Sequence, residues 1–225
     1  MNKLLLTLST FAVALVTFAS PLAAQAEDIK GDVKAGQTKN AMCIGCHGIA
    51  GYQASFPEIY KVPKISGQGE KYIVSALNAY KKGDRKHPTM RGVAESLSDQ
   101  DMADLAAYYS VHGVVEGATL AAKPSKEPSA QVAALLQKAA CISCHGENFA
   151  KPISPDYPKI AGQHSDYLYG ALKAYKTENN PQIGRSNGVM AGMVKQFNNN
   201  ELKEIAKYVS SLDGDLKTVP QSKFR

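Results

Sequence analysis

The stretch "AMCIGCHG" at residues 41–48 returns as "AACISCHG" at residues 139–146. In each copy two cysteines stand three positions apart and a histidine follows the second. Three chemistries use such a pair: a redox dithiol, half of a four-sulfur zinc site, and thioether attachment of haem with the next histidine as iron ligand. The histidines separate them. The chain has five histidines in 225 residues, so two chance placements directly after a pair have odds of roughly one in two thousand. The haem reading also explains the spacing. Helical positions three apart share a side, so Cys43 and Cys46 can present both sulfurs to one porphyrin edge while His47 offers its imidazole to the iron. Cys141, Cys144 and His145 repeat the set, and two covalently bound haems c are the expected cofactors.

The first 26 residues read as a cleavable leader. Lys3 precedes an apolar run from Leu4 to Phe18, and Ala24-Gln25-Ala26 closes it with a small-x-small pattern. The run is about fifteen residues, short of the roughly twenty that a spanning helix needs. Export normally turns four cysteines into two disulfides, but here all four are committed to the paired motifs.

A sixth iron ligand has to come from elsewhere, and an internal repeat points to it. "PKISGQGEKYIVSALNAYK" at 63–81 aligns with "PKIAGQHSDYLYGALKAYK" at 158–176. Further on, "MRGVAESLSDQDMADLAAYYSVH" from Met90 runs beside "MAGMVKQFNNNELKEIAKYVSSL" from Met190. Each methionine stands seven residues before an apolar residue, Leu97 or Phe197, that leads into a helix. Turn-forming residues precede both, so Met90 and Met190 are expected on loops that fold over a ring face. They are the axial candidates opposite His47 and His145. Met193 competes with Met190. His87, His112 and His164 are rival ligands, but none recurs in the other half.

Periodicity gives an all-α fold. Asp32 is placed to cap a helix running through Met42 to the first cysteine pair, and Ser129 one ending at Cys141. Amphipathic patterns cover Gly69 to Tyr80 and Ser165 to Tyr175, and closing helices start at Ser98 and Asn198. The expected organisation is a leader at 1–26 and an N-terminal domain at 27–115. A linker with the start of the second haem helix at 116–131 then leads to a C-terminal domain at 132–225.

The leader, the two C-x-x-C-H sites about a hundred residues apart, the repeated P-K-I-x-G-Q and the spaced methionines together resemble the dihaem cytochrome c4 family. These proteins are two class I cytochrome c domains in tandem, and the resemblance covers essentially the whole mature chain. It implies that the carbonyls of Pro63 and Pro158 accept a hydrogen bond from the haem histidines. It puts Ile65 and Ile160 against the rings, makes Gln68 and Gln163 propionate neighbours, and places Gly36 where the first and last helices cross beside Tyr108. Ala134 stands where the second half would have that glycine, so a wider crossing is expected there.

The resemblance also implies an electron carrier rather than an enzyme, working in the periplasm toward redox protein partners such as a membrane-bound terminal oxidase. The expected molecule is a monomer with no nucleic-acid partner, and peripheral membrane association is compatible with it. Two alternatives stand beside this one: the cytochrome subunit of a larger redox complex, such as a flavoprotein sulfide dehydrogenase, and a dihaem redox enzyme. Charge is uneven along the chain. Residues 27–122 hold eleven basic and eleven acidic side chains, whereas 123–225 hold fourteen and nine. Lys151, Lys159 and Lys195 are therefore candidates for meeting an acidic partner.

Overall fold

The computed structural model describes residues 29–220. The leader lies outside the described residues. Asp32 opens α1 (Val33–Lys39), its carboxylate accepting the Ala35 N–H at 2.6 Å. The chain then turns at Asn40 and resumes as α2 (Ala41–His47), so the cysteines ride on a short helix of their own rather than on a continuation of α1. Asn40 makes the break: it is buried, and its carbonyl takes the N–H groups of both Cys43 and Ile44.

Three more helices complete the first half: α3 (Glu70–Lys82), α4 (Pro88–Glu95) and α5 (Asp99–Val111). The second half repeats this order. Ser129 caps α6 (Ala130–Lys138), and a left-handed Ala140 precedes α7 (Ile142–His145). The series ends with α8 (Ser165–Ala174), α9 (Gly188–Lys195) and α10 (Asn199–Ser210). The helices α5 and α10 start alike, each with a reciprocal cap, Ser98 with Asp101 and Asn198 with Glu201. The all-α expectation needs one refinement. Two antiparallel pairs of two-residue strands are present, β1 (Gln53–Ala54) with β2 (Tyr60–Lys61), and β3 (Arg85–Lys86) with β4 (Gly184–Arg185). Strands of two residues are too short to show a period in sequence.

Each half has its own core, around Met102, Leu105 and Tyr109 in the first and around Phe149, Phe197 and Leu202 in the second. In the first, α1 crosses α5 at Gly36, where a Cβ would sit 2.0 Å from the Asp104 carbonyl and 2.7 Å from the Tyr108 Cβ. A buried charge holds the same crossing. The Asp104 carboxylate accepts from Lys39 at 2.5 Å and from the Asp32 N–H at 2.8 Å. The second crossing is the wider one, as expected: α6 approaches α10 far less closely than α1 approaches α5, and with Ala134 exposed it faces the core through Val132, Leu135 and Leu136.

The segment between the halves is laid on the second one. The carbonyls of Leu120, Ala121 and Lys126 accept from Lys151, Asn148 and Tyr208. In return the chain beyond α10 crosses to the first half, where the Lys217 N–H meets the Ser66 carbonyl at 3.0 Å. The repeated P-K-I-x-G-Q segments face one another across the seam. The Gln163 amide accepts from the Lys64 N–H and donates to the Lys64 carbonyl, and Gln68 does the same with Lys159, all four bonds at 2.9 Å. The glutamines expected beside propionates are thus occupied in joining the halves.

Candidate haem sites

Both motif histidines have a fixed tautomer. His47 Nδ1 lies 2.8 Å from the Pro63 carbonyl, and His145 Nδ1 lies 3.1 Å from that of Pro158. A carbonyl oxygen only accepts, so Nδ1 carries the proton and donates, which leaves the Nε2 lone pair free for a metal. Burial lowers the pKa of both imidazoles, outweighing the opposite pull of the carbonyl bonds. A neutral imidazole is the form that ligates iron.

The cysteines are unlike those of a redox dithiol. Burial pushes the thiols of Cys43 and Cys141 up to about 11, whereas a disulfide-exchanging C-x-x-C pair has one thiol with a depressed pKa. Nor is a four-sulfur zinc site assembled, since Cys43 packs against the first core and Cys141 against the second.

In the second half the candidates converge. Cys141, Cys144, His145, Pro158, Ile160 and Met190 line one cavity of about 410 Å³, within the range of roughly 300–1,000 Å³ typical of ligand pockets. Its apolar walls and its single neutral imidazole suit a haem. In the first half Cys43 and Ile65 pack on the core. The buried hydroxyl of Tyr109 finds no oxygen or nitrogen partner and has only the Cys43 thiol beside it, as expected where a resident group completes the site.

The methionines are not on loops. Met90 and Met190 occupy the third position of α4 and α9, and in each the residue three before caps the helix. His87 Nδ1 accepts the Met90 N–H at 3.3 Å, and Asn187 Oδ1 accepts that of Met190 at 3.0 Å. The turn-forming residues upstream therefore make a helix start, which fixes each methionine's backbone more firmly than a loop would. His87 is absorbed by this capping role, with Asn187 as its counterpart. Met193 also lines the cavity but is exposed, whereas Met190 packs against the core. His112 bonds Ser66 Oγ at 2.9 Å and stacks on Tyr108. His164 precedes α8 without a side-chain cap bond.

Arg85 and Arg185 escaped the reading of the sequence. They line the second cavity together with Tyr72 and Tyr167. The signal was present, because Tyr72 and Tyr80 recur as Tyr167 and Tyr175, and Arg85 recurs as Arg185.

Comparison with known proteins agrees with this geometry. The family model for cytochrome c matches twice, at residues 33–110 and 129–213. A cytochrome c4 of Stutzerimonas stutzeri is 33% identical over 193 residues, covering 81% of this chain and 90% of that protein. The chain belongs to the cytochrome c4 family. The crystal structure of reduced recombinant cytochrome c4 from Pseudomonas stutzeri superposes with a TM-score of 0.58 at 27% identity, covering 81% of this chain and all of that one. More distant is a thiosulfate dehydrogenase electron acceptor of Thiomonas intermedia, 27% identical over 182 residues, 76% of this chain and 78% of that protein. The chain is thus two tandem cytochrome c domains with two covalently bound haems c, a dihaem electron carrier. No helix among the described residues is long and apolar enough to cross a membrane.

Proposed function

We propose that this cytochrome works in the periplasm, after removal of residues 1–26, and passes electrons toward a terminal oxidase. Cys43 and Cys46, and Cys141 and Cys144, would hold the haems. His47 with Met90 and His145 with Met190 would fill the axial positions. Pro63 and Pro158 orient the histidines, and Ile65 and Ile160 would help to hold the haems. The bound haems supply reversible one-electron chemistry. The domains would run from 27 to 115 and from 132 to 225, joined by 116–131.

The observation that carries this reading is a histidine with a carbonyl-fixed tautomer and a core-packed methionine lining the same apolar cavity. With His47, Met90, His145 and Met190 holding the two haem irons, neither iron would keep a place for a substrate, and the protein would relay electrons. Carbon monoxide tests this. The ferrous holoprotein should show no spectral change under the gas, and a rapid shift at either haem would mark an open iron and return the enzyme reading.

Docking is supported at the edge of the second cavity, where Val189 and Met193 are exposed and Lys195 follows closely in sequence. Of the three lysines singled out by charge, Lys159 is engaged at the seam with Asp215 at 2.9 Å, and Lys151 holds the Leu120 carbonyl at 3.0 Å. Lys195 is left as the main contributor. Oxidation of the ferrous protein by membranes should slow as salt rises and slow further in Lys195→Glu. A salt-independent rate rejects this docking. The resemblance to a thiosulfate dehydrogenase electron acceptor favours a second reading, that the electrons come from a sulfur-oxidising dehydrogenase. Rapid reduction of the protein by such an enzyme with thiosulfate would support it.

A further inference from the structure

The seam between the halves holds two arginines that form no ion pair among the described residues, although Asp84 and Asp156 line the same cavity. The strands β3 and β4 set Arg85 directly opposite Arg185. Arg85 Nη2 donates to the Tyr72 hydroxyl at 2.7 Å, and Arg185 Nη2 to that of Tyr167 at 3.0 Å. Each guanidinium also lies over two rings, Tyr72 and Tyr80 at 5.3 and 5.5 Å for Arg85, Tyr167 and Tyr175 both at 5.5 Å for Arg185. Among the described residues no carboxylate pairs with either arginine.

Hydroxyls and ring faces orient a guanidinium but bring no net negative charge, and two like charges side by side and half-buried call for a partner. Burial keeps the Tyr72 and Tyr80 phenols raised against the pull of the two arginines, whereas at Tyr167 Arg185 and Arg85 outweigh it. Both arginines line the cavity that Cys141, Cys144 and His145 bound, and Arg85 reaches it from the other half of the chain. A haem brings two propionate carboxylates, and the planar guanidinium fork matches a carboxylate through two parallel bonds.

We propose that Arg85 and Arg185 jointly seat the propionates of the haem attached at Cys141 and Cys144, so that a residue of the first half governs the charge around the haem of the second. This rests on that cavity holding a haem, and it needs neither the axial methionine nor the identity of the partner.

The test uses the holoprotein, with haem content measured first. A count below two in the wild type would fail the cofactor reading itself and is thereby kept apart from the proposal. Ferric haem carries one more positive charge than ferrous haem, so removing a neighbouring cation favours the ferric form. Arg85→Gln should shift the reduction equilibrium of the second-half haem by about tenfold toward ferric, a fall of about 59 mV for a one-electron couple. Arg85→Lys, which keeps the charge, should recover most of the shift. A potential that Arg85→Gln leaves unmoved would overturn the proposal. A second measurement needs no variant: in the ferrous wild type, nuclear Overhauser contacts should join the Arg85 side-chain protons to the propionate methylenes of the haem on Cys141 and Cys144. Methylenes in contact only with other residues would overturn the proposal equally.

Discussion

At the scale of single residues, the two candidate ligands on the open side of the second cavity differ in their support. Met190 is packed on the core behind a capped helix start, and Met193 stands one turn later in the open. Met190→His should therefore lower one of the two reduction potentials and remove about half of the methionine-to-iron charge-transfer absorption of the ferric protein. A band of full strength after that change would move the role to Met193, as read by a spectropotentiometric titration. Asp104 supports a prediction of another kind. Lys39 holds its carboxyl below the usual range, with help from the Asp32 N–H and against the effect of burial. The stabilisation this represents is complete above the unfolded-state carboxyl pKa of about 3.9 and disappears as pH falls from there through the lowered folded value. Melting temperatures measured across the acid range should fall less steeply for Asp104→Asn than for the wild type, although the variant starts lower at neutral pH.

At the scale of elements, Gly36 decides how closely α1 meets α5. A methyl group there meets the Asp104 carbonyl head-on, so Gly36→Ala should destabilise the first half by about 1–3 kcal/mol, the usual range for overpacking. Gly92, inside α4 with open space around its Cβ position, is the control. Gly92→Ala should be neutral or gain about 0.5–1 kcal/mol, and denaturant unfolding of both variants would show the contrast. Gly36 is placed by the family resemblance, which sets a crossing glycine seven residues before the first cysteine of the motif. The starts of α1, α5, α6 and α10 are legible because each carries its cap residue just before the helix, and α3 and α8 through their apolar period alone. What escaped was non-local. The break at Asn40 depends on which carbonyl its neighbours choose, and the exposure of Ala134 on the angle of a whole helix. The roles of Gln68 and Gln163 depend on segments some ninety residues away. The stretch before each methionine reads as a loop because cap residues and loop residues are drawn from the same small set, and only the backbone distinguishes them.

At the scale of the whole molecule, the seam is polar and reciprocal. Removing one glutamine amide leaves a lysine N–H and carbonyl unpaired, at about 1–3 kcal/mol for each buried group. Gln68→Ala combined with Gln163→Ala should therefore split a single thermal transition into two, resolved by calorimetry or by following each core separately. One cooperative transition in the double variant would mean that the strap from the second half, the Lys217–Ser66 contact, holds the halves together without the glutamines. The pattern of exchange has a further consequence. Gln68 grips Lys159 while Gln163 grips Lys64, and Arg85 faces its own counterpart, which is the signature of an isologous contact with a local two-fold axis passing between the arginines. The chain is in this sense a homodimer with its subunits fused. Fusion keeps each half at a high effective concentration for the other, so the contact can stay weak and wet without the partners parting. Residues away from the axis come in two copies and can diverge separately. A residue beside the axis is less free to do so, because whatever replaces Arg85 confronts its own copy, Arg185, in the other half.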